Sequence, residues 1–395
     1  MAKKEKGGLP KGWLLALITA AVCILLLLIN RLGSLTGGVS AGEVHAATAP
    51  VGWHGIYHNP FYLPLKLARS VAFFLFSAHG QTITRLPNVL FGIMTIAAFI
   101  ILVKLWHSTR TAVLASFLFV TSAWVLHASR LASFDVIYLW ALPILLLSNV
   151  LINRSPDRGL SWYFGLLTMG MLLYVPGMVW LILVNIFFLR HELAEAWAEF
   201  SYKQHILFIL ASLIWLPLLI VNLLRPSQLL VWLGLPTHWP TLKLLLKQFI
   251  GVPVHLFIRG PQQPDLWLGR APILDIFTLV ACILGIYFYL RHLKANRTRL
   301  LACFAIIGWL LVTIGGPVTF SLLVPLLYLA AATGIAYLLH EWLRVFPLNP
   351  LARGLGVTLV TLAVGLACIY NLRAYFVAWP HDQATRATFI YHLRH

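Results

Sequence analysis

The sequence predicts an all-α integral membrane protein with about eleven transmembrane helices. Hydrophobic residues make up 60% of its 395 residues and charged residues 10%, and the mean hydropathy is +0.87. A soluble core of this length could not hide so much apolar surface, so lipid must be the main solvent. The apolar residues fall in runs suited to spanning helices of about 20 residues, not in the short alternating segments of barrel strands.

Taken in order, the expected spans are residues 12–31, 86–105, 110–128, 136–152, 160–175, 178–190, 206–224, 272–290, 300–315, 319–339 and 355–375. The first follows Lys3, Lys4, Lys6 and Lys11. A signal-type cleavage near Val44-His45-Ala46 would lie too far beyond it, so this run reads as an uncleaved helix with a cytoplasmic amino end. The loops then placed inside are short and basic: Lys104 and Arg110, Arg154 and Arg158, Arg190 and Lys203, Arg291 to Arg299, Arg344 and Arg353. That agrees with the positive-inside rule and suggests a multi-pass protein of the plasma (cytoplasmic) membrane.

Two outer loops are long, 32–85 and 225–271, and a short outer tail covers 376–395. In the first, residues 61–77 are apolar but carry Lys66 and Arg69, which suggests an interfacial helix. In the second, between the seventh and eighth spans, residues 240–249 carry Lys243 and Lys247 and suggest another. The whole chain reads as one polytopic domain, 1–395, without internal repeats. Its four cysteines, Cys23, Cys282, Cys303 and Cys368, lie in apolar runs and read as small core residues.

The outer face carries many cations, among them Lys66, Arg69, Arg85, Arg130, Arg225, Arg259 and Arg270, and few acids: Glu43, Asp135, Asp265, Asp275 and Asp382. Positive charge on the disfavoured side is explained by binding an anion such as phosphate; contact with anionic lipid headgroups at helix ends is the other explanation. Glu43 lies shortly after the first span, and Asp135 in the turn between the third and fourth. Both face the same aqueous side in this topology, so they could share a site. Glycosyl transfer from a phosphate-linked carrier needs a carboxylate to orient or deprotonate the acceptor and cations for the departing phosphate. Taken alone, a carboxylate five residues from an arginine is more often a local ion pair or helix cap. Trp53, Trp232, Trp239 and Trp267 fit interfacial anchoring better than sugar stacking.

The order of several short motifs resembles the GT-C type membrane glycosyltransferases that include protein O-mannosyltransferases and lipid A aminoarabinose transferases. Gly42-Glu43-Val44-His45 stands where that family has an Asp-Glu pair, and His58-Asn59-Pro60-Phe61, followed by Lys66, stands for a His-Pro-Pro-Leu segment. Arg85-Leu86-Pro87 opens the second span with Gly92 beyond it, and Arg130 and Asp135 close the turn after the third. Looser matches are Arg270-Ala271-Pro272-Ile273-Leu274-Asp275 and Val324-Pro325-Leu326-Leu327-Tyr328-Leu329. The departures are Gly42 for the first acid, Phe61 for the second proline, and no cation in Gly315-Gly316-Pro317-Val318-Thr319-Phe320.

The resemblance implies a polyprenyl-phosphate-linked sugar as donor, an extracytoplasmic lipid, glycan or protein as acceptor, and inversion at the anomeric carbon. It makes Glu43 the expected catalytic carboxylate and Asp135 the second. Lys66, Arg85, Arg130, Arg259 and Arg270 become expected phosphate contacts. His45 and His58 are candidate acceptor or metal contacts, or ordinary polar loop residues. Glu43, His45 and Asp135 would hold a divalent cation only if the fold gathered them closely, and no obligatory metal is expected. The other readings are a non-catalytic relative that binds the carrier lipid, favoured by Gly42, and a lipid or solute transporter. The latter should show inverted repeats and mid-membrane charge. Nucleic acid is not an expected partner, because the net charge of +18 is spread over both faces.

Overall fold

The structure is a computed structural model and describes residues 11–48, 55, 58–76, 80–154, 160–261 and 271–392. Among these the regular elements are helices, joined by one isolated antiparallel bridge between Val39 and Tyr391. In chain order they are α1 Lys11–Ile29, α2 Ala41–Thr48, α3 Leu63–Phe76, α4 Gln81–Trp106, α5 Thr109–Thr121, α6 Ala123–Arg130 and α7 Asp135–Arg154. Next come α8 Leu160–Leu172, α9 Met178–Phe188, α10 Arg190–Glu199, α11 Tyr202–Ser212, α12 Leu216–Leu224, α13 Ser227–Trp232 and α14 Leu242–Phe257. The last long helices are α15 Ile276–Arg291, α16 Asn296–Ile314, α17 Val324–Val345 and α18 Pro350–Arg373. A π-helical turn and two short helices then carry the chain from Ala374 to Thr388.

Helices occupy every stretch expected to span. Among the described residues six are long and apolar enough to cross a membrane, or seven if α5 and α6 count as one bent span, and four shorter apolar helices occupy the remaining stretches. The residues from Arg190 to Lys203, expected as a loop, instead contain α10. Its Arg-His-Glu-Leu-Ala-Glu-Ala run is rich in good helix formers.

Lipid rather than water sets the pattern of burial. α7 is buried on nearly all sides, which is why it is apolar all round. α18, on the rim, exposes Leu359, Leu362, Leu366 and Ile369 along one stripe. In the short helix α3 the usual arrangement is turned inside out. Lys66 and Arg69 point inward and are buried, while Val71, Phe74 and Leu75 point outward, Phe74 at 84% exposure.

The span expected over 110–128 is broken. α5 and α6 meet at Ser122 with a bend of 57°. No proline or glycine causes it. Ser122 leaves the helical conformation and its Oγ accepts from the Val125 N–H at 3.5 Å, and the N–H of Ala123 donates to Asn371 Oδ1 at 3.2 Å. A broken helix is tolerated in hydrocarbon where other groups take up the freed backbone donors. The bend re-aims α6, and Gly92 lets it lie close against α4, since a Cβ there would meet Ser129 Cβ at 2.5 Å.

α15 and α17 form the most extensive helix pair. Ala281 and Gly285 on one helix face Ala330 and Gly334 on the other, a small-xxx-small pattern on both sides. A Cβ on Gly285 would run into the Ala330 carbonyl, and one on Gly334 into the Ala281 carbonyl. Helices in lipid associate by such close backbone approach, because burial of apolar surface no longer favours contact. Gly285→Val should therefore lower stability by about 1–3 kcal/mol or more, read as a fall in the thermal unfolding temperature of the purified protein, whereas Gly354→Ala, with open space around it, should not.

Candidate functional site

The site is built where the end of α1, the start of α4 and the turn between α6 and α7 meet. α2 enters it through a capping box. Ser40 Oγ accepts from the Glu43 N–H and Glu43 Oε2 accepts from the Ser40 N–H, both at 3.2 Å. The Glu43 carboxylate also receives Arg85 in a fork: Nε donates to Oε1 and Nη2 to Oε2, each at 2.8 Å. The N–H of Ala132 donates to Oε1 at 2.8 Å. Four donors thus occupy both oxygens of a residue that is 2% exposed. A carboxylate has about four lone-pair sites, so these four donors match the number Glu43 offers. In this structure the carboxylate of Glu43, the expected catalytic base, joins three chain segments.

Arg85 and Arg130, expected at the donor phosphate, are likewise committed within the protein. Besides Glu43, Arg85 donates to the carbonyls of Leu32 at 2.7 Å and Gly38 at 3.0 Å, and to Thr36 Oγ1 at 3.1 Å. Arg130 donates to the carbonyls of Leu27 and Asn30 at the end of α1. A cation suits that position, where the helix dipole is negative and the last carbonyls lack helical partners. The other side of its guanidinium lies 5.4 Å from the Tyr375 ring centre and 4.9 Å from that of Phe376.

The inward face of α3 supplies the rest. Arg69 donates to the carbonyls of Ala46 at 2.9 Å and Ala132 at 3.0 Å, and its guanidinium lies over the Phe134 ring at 5.1 Å. Asn88 donates to the Ser133 carbonyl at 2.7 Å. Every residue of the 132–134 turn is therefore held, and the turn ends at Asp135, the first residue of α7. Ser321 Oγ donates to Asp135 Oδ1 at 3.4 Å and itself accepts from Trp124 Nε1 at 3.2 Å. Tyr62 stacks on Phe134 with ring centres 4.4 Å apart, and its hydroxyl lies 3.1 Å from that of Tyr138. Tyr62 has a positive φ of 60°, rare for a bulky residue. Burial pushes its phenol up to about 12, so Tyr62 is a neutral hydrogen-bonding group here.

Lys66 is one turn beyond Tyr62 on α3 and is 4% exposed. Its ammonium donates to the Asn59 carbonyl at 2.7 Å, and among the described residues no carboxylate pairs with it. Desolvation, with a smaller effect of Arg69, holds the ammonium down to about 8. Lys66 lies one helical turn before Arg69, whose guanidinium holds the turn that leads to Asp135.

Other expected residues lie elsewhere. Arg259 is exposed beyond the end of α14, where its carbonyl faces His255 Nδ1 at 3.1 Å. Asp275 caps α15 and accepts from Asn371 Nδ2 at 2.9 Å. His45 and His58 are exposed, and the His58 carbonyl accepts from Gln228 at 2.5 Å. Arg270, Asp265, Trp53 and Trp267 lie outside the described residues. Among the described residues no three of His, Cys, Asp and Glu gather as a metal site requires. Arg69, one of the outer cations of the sequence, joins the site in the structure. Its signal was the i, i+3 spacing from Lys66, which puts both on one helix face. Tyr62, Asn88 and Ser321 gave no such signal.

The sequence matches no protein-family model and no curated protein. The fold, in contrast, matches solved structures. ArnT from Cupriavidus metallidurans in the apo state superposes with a TM-score of 0.60 at 13% identity, covering 96% of this chain and 78% of that one. ArnT from the same organism bound to undecaprenyl phosphate gives 0.50 at 14% identity, covering 96% and 76%. The archaeal oligosaccharyltransferase AglB from Archaeoglobus fulgidus, in complex with an inhibitory peptide and a dolichol-phosphate, gives 0.51 at 14% identity. That match covers 97% of this chain and 56% of AglB. The chain therefore shares its fold with ArnT and AglB, and its apolar helices make it a multi-pass membrane protein.

Removing one half of a buried ion pair strands the other half. Glu43→Ala should cost about 3–5 kcal/mol of stability, seen as a large drop in the unfolding temperature. Replacing both partners, Glu43→Gln with Arg85→Met, should cost less than the sum of the single changes. Equal unfolding temperatures for Glu43→Ala and the native chain would show that the pair does not hold the fold.

Proposed function

We propose that the chain transfers a sugar from a polyprenyl-phosphate carrier to an acceptor, at the end of the bundle where α2, α3 and the α6–α7 turn meet. Lys66 carries this reading: among the described residues it is a buried ammonium without a carboxylate partner, one helical turn from the arginine that holds the turn leading to Asp135. A cation stripped of water and of counter-charge favours an arriving anion. The fold supports the same reading, since its solved examples include one bound to undecaprenyl phosphate and one in complex with a dolichol-phosphate.

In this mechanism Asp135, not Glu43, orients the acceptor hydroxyl and takes its proton. The acceptor oxygen forms a bond to the anomeric carbon, the bond from that carbon to the phosphate oxygen breaks, and configuration inverts. The charge that develops on the departing polyprenyl phosphate is met by Lys66, with Arg69 adding positive potential behind it. The face concerned is extracytoplasmic and the membrane is the plasma membrane, with the amino end of the chain on the cytoplasmic side. This orientation follows the short basic loops at the other end. The eleven-span topology, with α3 and the first part of α14 in the interface, belongs to the same proposal.

A second reading is a non-catalytic relative that binds the carrier lipid. It is favoured by Gly42 in place of the first acid and by the saturated oxygens of Glu43. Purified protein in nanodiscs supplied with radiolabelled polyprenyl-phosphate sugars separates the two. Transfer predicts release of polyprenyl phosphate, and Asp135→Asn should slow it about 10²–10⁴-fold while carrier binding persists. Saturable carrier binding without release from any donor would establish the second reading. Under both readings the carrier should bind less tightly as pH rises through about 8. The phosphate favours charged Lys66, so above that value binding must take up a proton. Lys66→Met should bind weakly at neutral pH and lose this slope; an unchanged slope would remove Lys66 from the site.

A further inference from the structure

The other end of the bundle holds a second concentration of positive charge. Arg85 and Trp106 stand at opposite ends of α4, about 32 Å apart along the helix. Beyond Trp106 a cavity of about 700 Å³ opens among Trp106, His107, Arg110, Arg297, Tyr337 and His340. It adjoins a cavity of about 550 Å³ that shares Arg110, Leu343 and Val357 with it and adds Arg353. Among the described residues none lining either cavity is acidic. Nearby Glu341 is paired with Arg344 at 2.8 Å.

Three helices begin at this double cavity, so the positive ends of three dipoles converge there. α5 starts behind Ser108, α16 starts at Asn296 without a side-chain cap, and α18 starts at Pro350. The Arg297 guanidinium lies 5.2 Å from the Trp106 ring centre, which fixes it at the mouth. Further in, His107 Nε2 lies 3.2 Å from Thr333 Oγ1. Burial, and secondarily Arg297, pushes its imidazole down to about 4, so His107 offers a neutral hydrogen-bonding edge. The remaining wall is apolar, with Phe288, Leu339 and Val357. A ring of guanidiniums and helix starts above an apolar wall, at the end of spanning helices, suits a molecule with an anionic head and a hydrocarbon body.

We propose that this double cavity binds the phosphate headgroup of an anionic membrane lipid, at a site separate from the carrier site and on the opposite face. Arg110, Arg297 and Arg353 supply the charge, the starts of α5 and α16 the amide donors, and Phe288 and Val357 the surface for the first acyl carbons.

Full-length protein in mild detergent is titrated with short-chain phosphatidylglycerol, with phosphatidylcholine of equal chain length, and with inorganic phosphate, and bound ligand is counted by native mass spectrometry. Phosphatidylglycerol should bind about tenfold or more tightly than phosphatidylcholine. Arg110→Ala with Arg297→Gln should abolish that preference, and Arg110→Lys with Arg297→Lys should keep it. Matching circular dichroism and unfolding temperatures confirm that the variants are folded. Equal lipid retention by the native chain and the Ala/Gln variant overturns the proposal, and so does saturable binding of inorganic phosphate with no preference between the two lipids. The readout is lipid binding and not sugar transfer, so the result is independent of the transferase reading.

Discussion

The buried pair of Glu43 and Arg85 is the contact on which the rest of this end of the molecule depends. A buried ion pair adds little net stability, because desolvation offsets much of the attraction. What it supplies here is registry. Arg85 comes from the first turns of α4 and collects the carbonyls of Leu32 and Gly38, fixing the path of the chain after α1. Glu43 caps α2 and takes the amide of Ala132. With Ala132 fixed from one side and Ser133 held by Asn88, Asp135 can occupy only a narrow range of positions. The pair is thus the scaffold of the site, and the chemistry proposed above belongs to its neighbours.

Charge in this region follows the logic of a lipid-facing protein. α3 turns Phe74 outward and Lys66 and Arg69 inward, where backbone carbonyls of Asn59, Ala46 and Ala132 receive the two cations. Arg69 and Arg130 meet backbone carbonyls and aromatic faces, which solvate a guanidinium without neutralising it. The result is a buried region with more positive than negative side chains, and Lys66 is the member held by a single carbonyl.

The sequence was informative where one residue type has one physical outcome. Apolar runs of sufficient length became helices, and Glu43, Arg85 and Arg130 stood out in the sequence as charged residues beside such runs. Who pairs with whom was less legible. The Ser40-x-x-Glu43 spacing is a capping-box signature and could have shown that Glu43 has a structural task; its partnership with Arg85, forty-two residues away, could not be read locally. The break at Ser122 was hidden for the same reason. Thr121-Ser122 permits a break without demanding one, and the deciding partner, Asn371, lies 248 residues downstream. Ser321, 186 residues from Asp135, was equally invisible to a reading by spacing.

The bridge between Val39 and Tyr391, with the rings of Tyr375 and Phe376 against Arg130, bears on biogenesis. Residues from the first loop and the third span emerge from the ribosome long before the segment that covers them. While the intervening helices are being inserted, the guanidinium of Arg130 has its carbonyls but not its aromatic partners, and the amide of Ala123 waits for Asn371. Assembly of this region therefore lags behind insertion: the spans can enter the bilayer one after another, but the end of the bundle that holds Asp135 is completed only when the later-translated segment folds back onto the early one.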